Sequence, residues 1–532
     1  GKAVQKSEIA EPIISKPIEQ KNIKMETQNV FIFLAASMLC MCFGWGMRGS
    51  AIGGEKGAML PGALIGTVLA LFSGIFIVQE HFYIFAALGA VAMYFGGSMT
   101  YGETLAFSMS AHPAENMKKG LGALFLKGSL WFGSFGCIFA TGVNAVCKKY
   151  NWIELLIIYI ATPLAAIALY YLFNKPLSVA DNKYPRFYFS KTRQESWGAI
   201  LGIVVALLMV AIIKGDKFSI IFPLSCALFG GIGWVIGQLM QIFSKHYAPD
   251  SESYFFRLFS EARGAEPWKE MECIFGAFGG LGAAIGLIIT FDSFKATVFT
   301  LELNGGLKSY NGDLVFWAFV AWIVLLGLDM AHYFVKRPFT KSELKELLRS
   351  GKITKEFYGA RLINAKDTVP AFYGIYEKVT SVGEFLLYAA IPFVLICSGS
   401  TKAALTTSFF LLFWVIAQEV AFEKKLGTAF SIILKAILSV TGILILVASL
   451  GFDYCFTYKT TLIMYTVVYE VLTFVFIIPE TKARLSTKLV INEATDLLEK
   501  RSMFTTIIRT PTFLVHGYFV ICIMILLFMT IR

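Results

Sequence analysis

Charged and amide side chains set inside long apolar runs are where this sequence can do chemistry, because each is costly in hydrocarbon unless it is paired or used. The most crowded set is Trp45-Gly-Met-Arg48-Gly-Ser-Ala-Ile-Gly53-Gly54-Glu55-Lys56-Gly57, a Gly-rich connection with three charges between two apolar runs. Backbone N–H groups of such a loop can turn towards an anion, with Arg48 and Lys56 adding positive charge. A tight turn in which the Arg and the Glu pair with each other accounts for the same residues without a ligand. The spacing is not that of a Walker loop. A second set, Glu103, His112 and Glu115, follows the third apolar run. A third, Arg263, Glu266, Trp268, Glu270 and Glu272, leads into a Gly-rich run. Glu270 and Glu272 are two apart and point to different helix faces, and an acidic helix start favoured by the macrodipole explains them structurally. The candidates for solute binding are Arg48, Glu55, Lys56, Glu103, Gln238 and Glu270.

A separate group lies further along the chain. Asp329 and His332 share one helix face at i and i+3, and Glu384, Glu419 and Glu470 sit within otherwise apolar runs. Buried carboxylates of this kind can take up and release protons, so these five residues are the candidates for ion coupling. The structural alternative is a salt bridge to Lys435 or to a loop Arg. The sequence has no HExxH, no GxSxG, no paired Asp-rich motif and no EF-hand loop. Its nine Cys are scattered and its His number five, so no metal site and no cofactor is implied.

The elements that must position these residues are membrane helices. The chain has 532 residues, 56% hydrophobic and only 16% charged, and its mean hydropathy is +0.66. A soluble protein carries charge on about a quarter of its residues. The apolar runs are continuous and cluster near about 20 residues, the length of a helix that crosses a bilayer, whereas a barrel would show short alternating segments. The expected spans are 29–47, 58–79, 82–100, 121–146, 152–173, 197–213, 218–243, 271–291, 313–335, 379–398, 403–421, 426–449, 458–479 and 513–531. The fold class is therefore an all-α integral membrane protein of about fourteen transmembrane helices, thirteen if the first run is re-entrant. Residues 1–28 form a polar tail.

Lys and Arg concentrate in the loops after odd-numbered spans, which assigns those loops to the cytoplasm. The net charge of +11 thus belongs to topology and to anionic headgroups, and with no basic and aromatic groove nucleic acid is excluded as a partner. Two cytoplasmic insertions stand out, 336–378 and 480–512, the second carrying the amphipathic stretch INEATDLLEKR. The first contains KSELKELLRSGKITKEFYGARL, read as two short amphipathic helices joined at Gly351, with Ser342 starting the first and Thr354 capping the second. Over these residues the chain resembles the helical hairpin of SHOCT-type oligomerisation modules, and that resemblance implies self-association into a homo-oligomer. A surface hairpin linking two membrane halves is the plainer reading.

The sequence also repeats itself. Gly62-Ala-Leu-Ile-Gly-Thr-Val-Leu-Ala-Leu71 reappears as Gly198-Ala-Ile-Leu-Gly-Ile-Val-Val-Ala-Leu207, Phe95-Gly-Gly97 as Phe229-Gly-Gly231, and Phe132-Gly-Ser-Phe-Gly136 as Phe275-Gly-Ala-Phe-Gly279. Matched runs lie four helices apart, which implies parallel repeat units, 29–150 and 151–292, related by an axis along the membrane normal. In this register Gln238 falls close to the position of Glu103. Trp234-Val-Ile-Gly-Gln238 recurs as Trp414-Val-Ile-Ala-Gln418 and hints at a third copy. The remaining units are the ninth span region 293–335, the insertion 336–378, a C-terminal membrane unit 379–479, the linker 480–512 and a last helix 513–532. Small residues let helices approach closely in lipid, so the Gly-rich runs belong in the protein interior.

Span number, parallel repeat and intramembrane carboxylates together lead to the expectation of a secondary transporter for a small polar, anionic solute coupled to protons or sodium, in a bacterial inner membrane. The crowding of polar groups into odd-numbered loops favours the alternative of a membrane-embedded acyl- or glycosyl-type transferase working at the cytoplasmic face. A non-catalytic channel or assembly subunit is the third class.

Overall fold

The structure is a computed structural model that describes residues 27–397 apart from 52–53, 100, 110–112, 177, 179–180, 184–188, 191–194, 244–266, most of 304–337, 350–352 and 369. Apolar runs must satisfy their backbone groups internally when they cross a bilayer. Among the described residues the chain is helical almost throughout, with two isolated bridges in place of strands. The first helices are α1 (Thr27–Ala51), α2 (Gly54–Leu71), α3 (Phe76–Glu80), α4 (Phe82–Tyr94) and α5 (Gly102–Ser108). They are followed by α6 (Pro113–Val146), α7 (Trp152–Asn174), α8 (Trp197–Lys214), α9 (Lys217–Ile242), α10 (Pro267–Ile289) and α11 (Phe291–Leu303). Then come α12 (Lys341–Arg349), α13 (Lys355–Leu362), α14 (Ala371–Phe385) and α15 (Ile391–Cys397), the last two joined through a π turn at Leu386–Ala390.

Helix α9 is the centre of the bundle, and glycine is what lets its neighbours close on it. Along the α6 side, a Cβ on Gly128 would sit 2.6 Å from the Gly230 carbonyl oxygen, and one on Gly136 2.6 Å from the Pro223 Cα. Along the α10 side, Gly233 lies against Phe275 and Phe278, and Gly286 against Phe222. Residue numbers rise on one partner as they fall on the other, so α9 is antiparallel to both. Helix α10 is backed in turn by α1, where Gly276 and Gly280 meet Met41 and Ser37. The glycines of the run 271–291 thus face α1, α6 and α9.

At the edge, α7 shows Ile153, Ile157, Ile160, Leu164 and Ile167 each more than half exposed. A continuous apolar face of that kind belongs against lipid. Among the described residues five helices are long and apolar enough to cross a membrane, six if α4 and α5, bent by 59°, form one broken span. The chain is a helical, multi-pass membrane protein.

Several boundaries differ from those read in the sequence. The run 58–79 is two helices, because the chain turns at Ser73-Gly74, where Gly74 takes φ +69° and opens the α2–α3 break. The run 82–100 ends its α-helix at Tyr94 and tightens to a 3₁₀ turn over Phe95–Ser98. The Gly-rich connection is shorter than expected: α1 continues through Arg48 to Ala51, and α2 resumes at Gly54. The hairpin helix α12 is capped by Thr340 instead of Ser342. The Thr340 Oγ1 accepts from the Glu343 N–H at 3.2 Å, and the Glu343 carboxylate accepts from the Thr340 N–H at 2.9 Å, a capping box. Thr354 caps α13, accepting from the Phe357 N–H at 3.2 Å. The matched glycines of the two repeat units pack closely but on different partners, Gly62 and Gly66 on α4 and Gly198 and Gly202 on α7. Most of the expected span 313–335 lies outside the described residues, as do the four spans after residue 400 and the 480–512 linker.

Candidate functional site

The antiparallel pair α6 and α9 carries three layers of buried side chains. At one end of the pair are Lys127 on α6 and Gln238 on α9; in the middle are Trp131, Phe132 and Trp234; at the other end are Asn144 and Ser219. Each layer draws further residues from the elements around it.

In the first layer Lys127 and Glu195 form an ion pair at 2.9 Å with each side chain only 1% exposed. The Lys127 Nζ also donates to Thr104 Oγ1 at 3.0 Å and faces the Phe189 ring at 5.8 Å from its centroid. Glu195 accepts from Ser190 Oγ at 2.8 Å through the same Oε1, while its Oε2 is buried without a hydrogen bond. Two charges removed from water this completely are held by mutual attraction and by the hydroxyls that complete their shells. Glu103, on the same short helix as Thr104, contributes negative charge near Lys127. One turn further along that helix, Gln238 is fully buried and its amide donates to Ser108 Oγ at 2.7 Å. Helix α9 thus meets α5 at Leu105 and Ser108.

Glycines bring the Gly-rich N-terminal connection to the same place. The 3₁₀ turn Phe95–Ser98 bends the fourth helix aside because Gly96 sits directly on the Trp131 indole and Gly97 on the Glu55 backbone. Neither position has room for a Cβ. The Ser98 carbonyl accepts from Ser196 Oγ at 2.8 Å, next to Glu195. Lys56 pairs with Glu384 at 3.4 Å and lies 4.7 Å from the centroid of Tyr388. A residue expected to bind solute is thus joined to one expected to couple ions, and the partner of Glu384 is Lys56, a pairing the sequence reading did not make.

The middle layer is aromatic and closed. Trp45 lies edge-on to Trp131 at 4.9 Å and to Phe275 at 4.7 Å, and Trp234 lies 4.8 Å from Tyr101 and 4.9 Å from Phe275. The Trp131 indole donates to the Met93 carbonyl at 3.1 Å. Edge-to-face contacts between buried rings add to the stabilisation from their area alone.

In the third layer the Asn144 amide donates to Asp216 Oδ2 at 2.5 Å and to Ser219 Oγ at 2.7 Å, and Ser219 donates to Asp216 at 2.7 Å. Lys149 pairs with the other carboxylate oxygen at 3.5 Å. Burial works against the charge on Asp216. Hydrogen bonds from Ser219 and Asn144 and the nearby Lys149 outweigh it and hold the carboxyl below the usual carboxylate range. Next to this layer, burial pushes the half-buried Lys148 amine down to about 8.

No family model, curated protein or solved structure matches the chain.

Of the residues singled out in the sequence, Lys56, Glu384, Glu103, Gln238 and the Glu55 backbone fall at one end of the bundle. Arg48 is on the last turn of α1 and Glu270 on the first turn of α10, with side chains outside the described set. His112, Asp329, His332, Glu419 and Glu470 lie outside the described residues. Sequence reasoning missed Lys127, Glu195, Asn144 and Asp216. Lys127 carried a usable signal, being the single charge inside the long apolar run 121–146. Among the described residues no group of three or more His, Cys, Asp or Glu is arranged to hold a metal ion.

Proposed function

We propose that the chain is a secondary transporter for a small polar, anionic solute, driven by protons or sodium across a bacterial cytoplasmic membrane. The observation that carries this reading is the layering of α6 and α9: buried polar sets at both ends and an aromatic block between them. Seventeen residues separate Lys127 from Asn144, about 25 Å of helix, and nineteen separate Ser219 from Gln238, about 28 Å. Those spacings approach the ~30 Å of a bilayer core, so each polar set lies towards one face, and the rings of Trp131 and Trp234, about 6 Å along their helices from Lys127 and Gln238, close the first of these sets off from the second. A carrier that alternates between faces needs a polar set facing each side and a barrier between them, and broken helices such as α4–α5 are where such sites are built. The odd-loop assignment puts the Lys127 and Gln238 layer on the cytoplasmic side.

The test is uptake of a panel of labelled small organic anions by proteoliposomes under an imposed proton or sodium gradient. Accumulation that collapses when both gradients are dissipated supports the reading. A second reading is favoured by the concentration of buried charge in one layer, a transferase with its site at that face. It replaces the first if the purified protein turns over a lipid or acyl donor while no gradient drives uptake.

A further inference from the structure

Three buried polar atoms on one stripe of α9 are left without partners: the indole N–H of Trp234 and the carbonyl oxygens of the Gln238 and Gln241 side chains. Their residues are 1%, 0% and 1% exposed. Positions i, i+4 and i+7 fall on the same face of a helix, and the stripe covers about 10 Å along the axis. Native interiors leave few such groups unsatisfied, and each calls for an explanation. The orientation of the Gln238 amide is decided locally. Ser108 Oγ donates to the Leu105 carbonyl at 2.7 Å, so it must accept from the Gln238 Nε2 at 2.7 Å. The Gln238 oxygen is therefore the atom that faces away from α5, and it needs a donor.

We infer that this stripe binds a polyhydroxylated solute of sugar or sugar-acid size. The stripe offers one donor and two acceptors. A carboxylate alone can answer only the indole N–H, and an ammonium alone only the two amide oxygens. A run of hydroxyls donates and accepts at every carbon, and an extended six-carbon polyol, about 9 Å between its terminal oxygens, nearly spans the stripe. A carboxylate at one end of that chain is compatible with the anionic solute proposed above. The Trp131 and Tyr101 rings beside Trp234 supply an apolar wall for the carbon backbone. The same Trp-Val-Ile-x-Gln spacing recurs at 414–418, outside the described residues. The inference rests on the transporter reading only in calling the ligand a carried solute.

The experiment is equilibrium binding of labelled D-glucitol and D-gluconate to the full-length protein in nanodiscs, with hexanoate as a six-carbon competitor that lacks hydroxyls. Both polyols are expected to bind saturably and to compete with each other, and hexanoate is expected not to displace them. Trp234→Phe, which removes the N–H together with one ring of the indole, weakens binding at least about 3- to 10-fold, the worth of one neutral hydrogen bond. Gln241→Met, which removes the amide at similar volume, weakens binding by a similar factor without lowering the melting temperature of the empty protein, whereas Trp234→Phe also lowers it through the ring packing it loses. Absence of saturable polyol binding, equal displacement by hexanoate, or unchanged affinity in both variants overturns the proposal. A Gln241→Met protein that melts no lower while the parent binds no polyol would assign the stripe to buried water instead, and also overturn it. Binding without gradient-driven uptake would keep this site and refute the transporter, and gradient-driven uptake of another anion without polyol binding would do the reverse.

Discussion

Removing one charge of the Lys127–Glu195 pair should destabilise the protein far more than removing both. Each side chain is 1% exposed and the contact is 2.9 Å, so Lys127→Met leaves a carboxylate in the bundle interior with only Ser190 to hold it. Breaking a buried pair in this way costs about 3–5 kcal/mol, roughly a hundredfold to several-thousandfold in the folding equilibrium. Glu195→Leu takes away the ion-pair partner of the Lys127 ammonium, which keeps Thr104 and the nearby charge of Glu103, at a cost of up to about 3–5 kcal/mol. The double variant Lys127→Met/Glu195→Leu removes both desolvated charges and should return to within about 2 kcal/mol of the parent. The coupling is therefore large and opposite in sign to additivity. Equilibrium unfolding in mixed micelles, followed by the fluorescence of the nine Trp, reads all four proteins. Lys56–Glu384 serves as the internal control. Its contact is 3.4 Å with side chains 16% and 44% exposed, and Glu384→Gln should cost under about 1 kcal/mol. Single variants at Lys127 or Glu195 that cost as little as the control, or a double variant equal to their sum, would refute the reasoning.

Further outcomes concern the glycines and Lys148. Gly62→Ala should lower the melting temperature, because the added Cβ would lie 2.6 Å from the Met93 Cβ and closer still to the Gly89 carbonyl, an overpacking cost of about 1–3 kcal/mol. Gly122→Ala, with nothing within 4 Å, should instead gain up to about 1 kcal/mol from helix propensity. The Lys148 amine, held at about 8 by burial against an ordinary value of 10.5, is about half neutral at pH 8, where an ordinary lysine is under about 1% neutral. It should be the first lysine acylated by an amine-directed reagent at that pH, read by peptide mass spectrometry. The native state releases this proton before the unfolded chain does, so stability should rise as pH goes from about 8 to 10.5, and Lys148→Met should remove that slope.

Helix existence was legible residue by residue. The runs read at 152–173, 197–213 and 218–243 appear as Trp152–Asn174, Trp197–Lys214 and Lys217–Ile242, because a backbone in hydrocarbon has no other way to satisfy its hydrogen bonds within one segment. Breaks were harder to see. Ser73-Gly74 interrupts a run that hydropathy alone carries through to residue 79, since hydropathy does not sense a positive φ.

The membrane class, the place of the α6, α7, α8 and α9 helices and the closeness of Gly-rich packing were properties of the sequence by itself, because each depends on local composition and on backbone satisfaction in lipid. The choice of partner belonged to the tertiary structure. Gly62 and Gly66 have the same spacing as Gly198 and Gly202, yet the first pair meets α4 and the second α7. The Lys127–Glu195 and Lys56–Glu384 pairs join residues 68 and 328 positions apart. A buried charge announces in the sequence only that it needs a partner. Which group supplies it is settled by the crossing of helices, where shape and short-range contact decide among many residues of suitable charge.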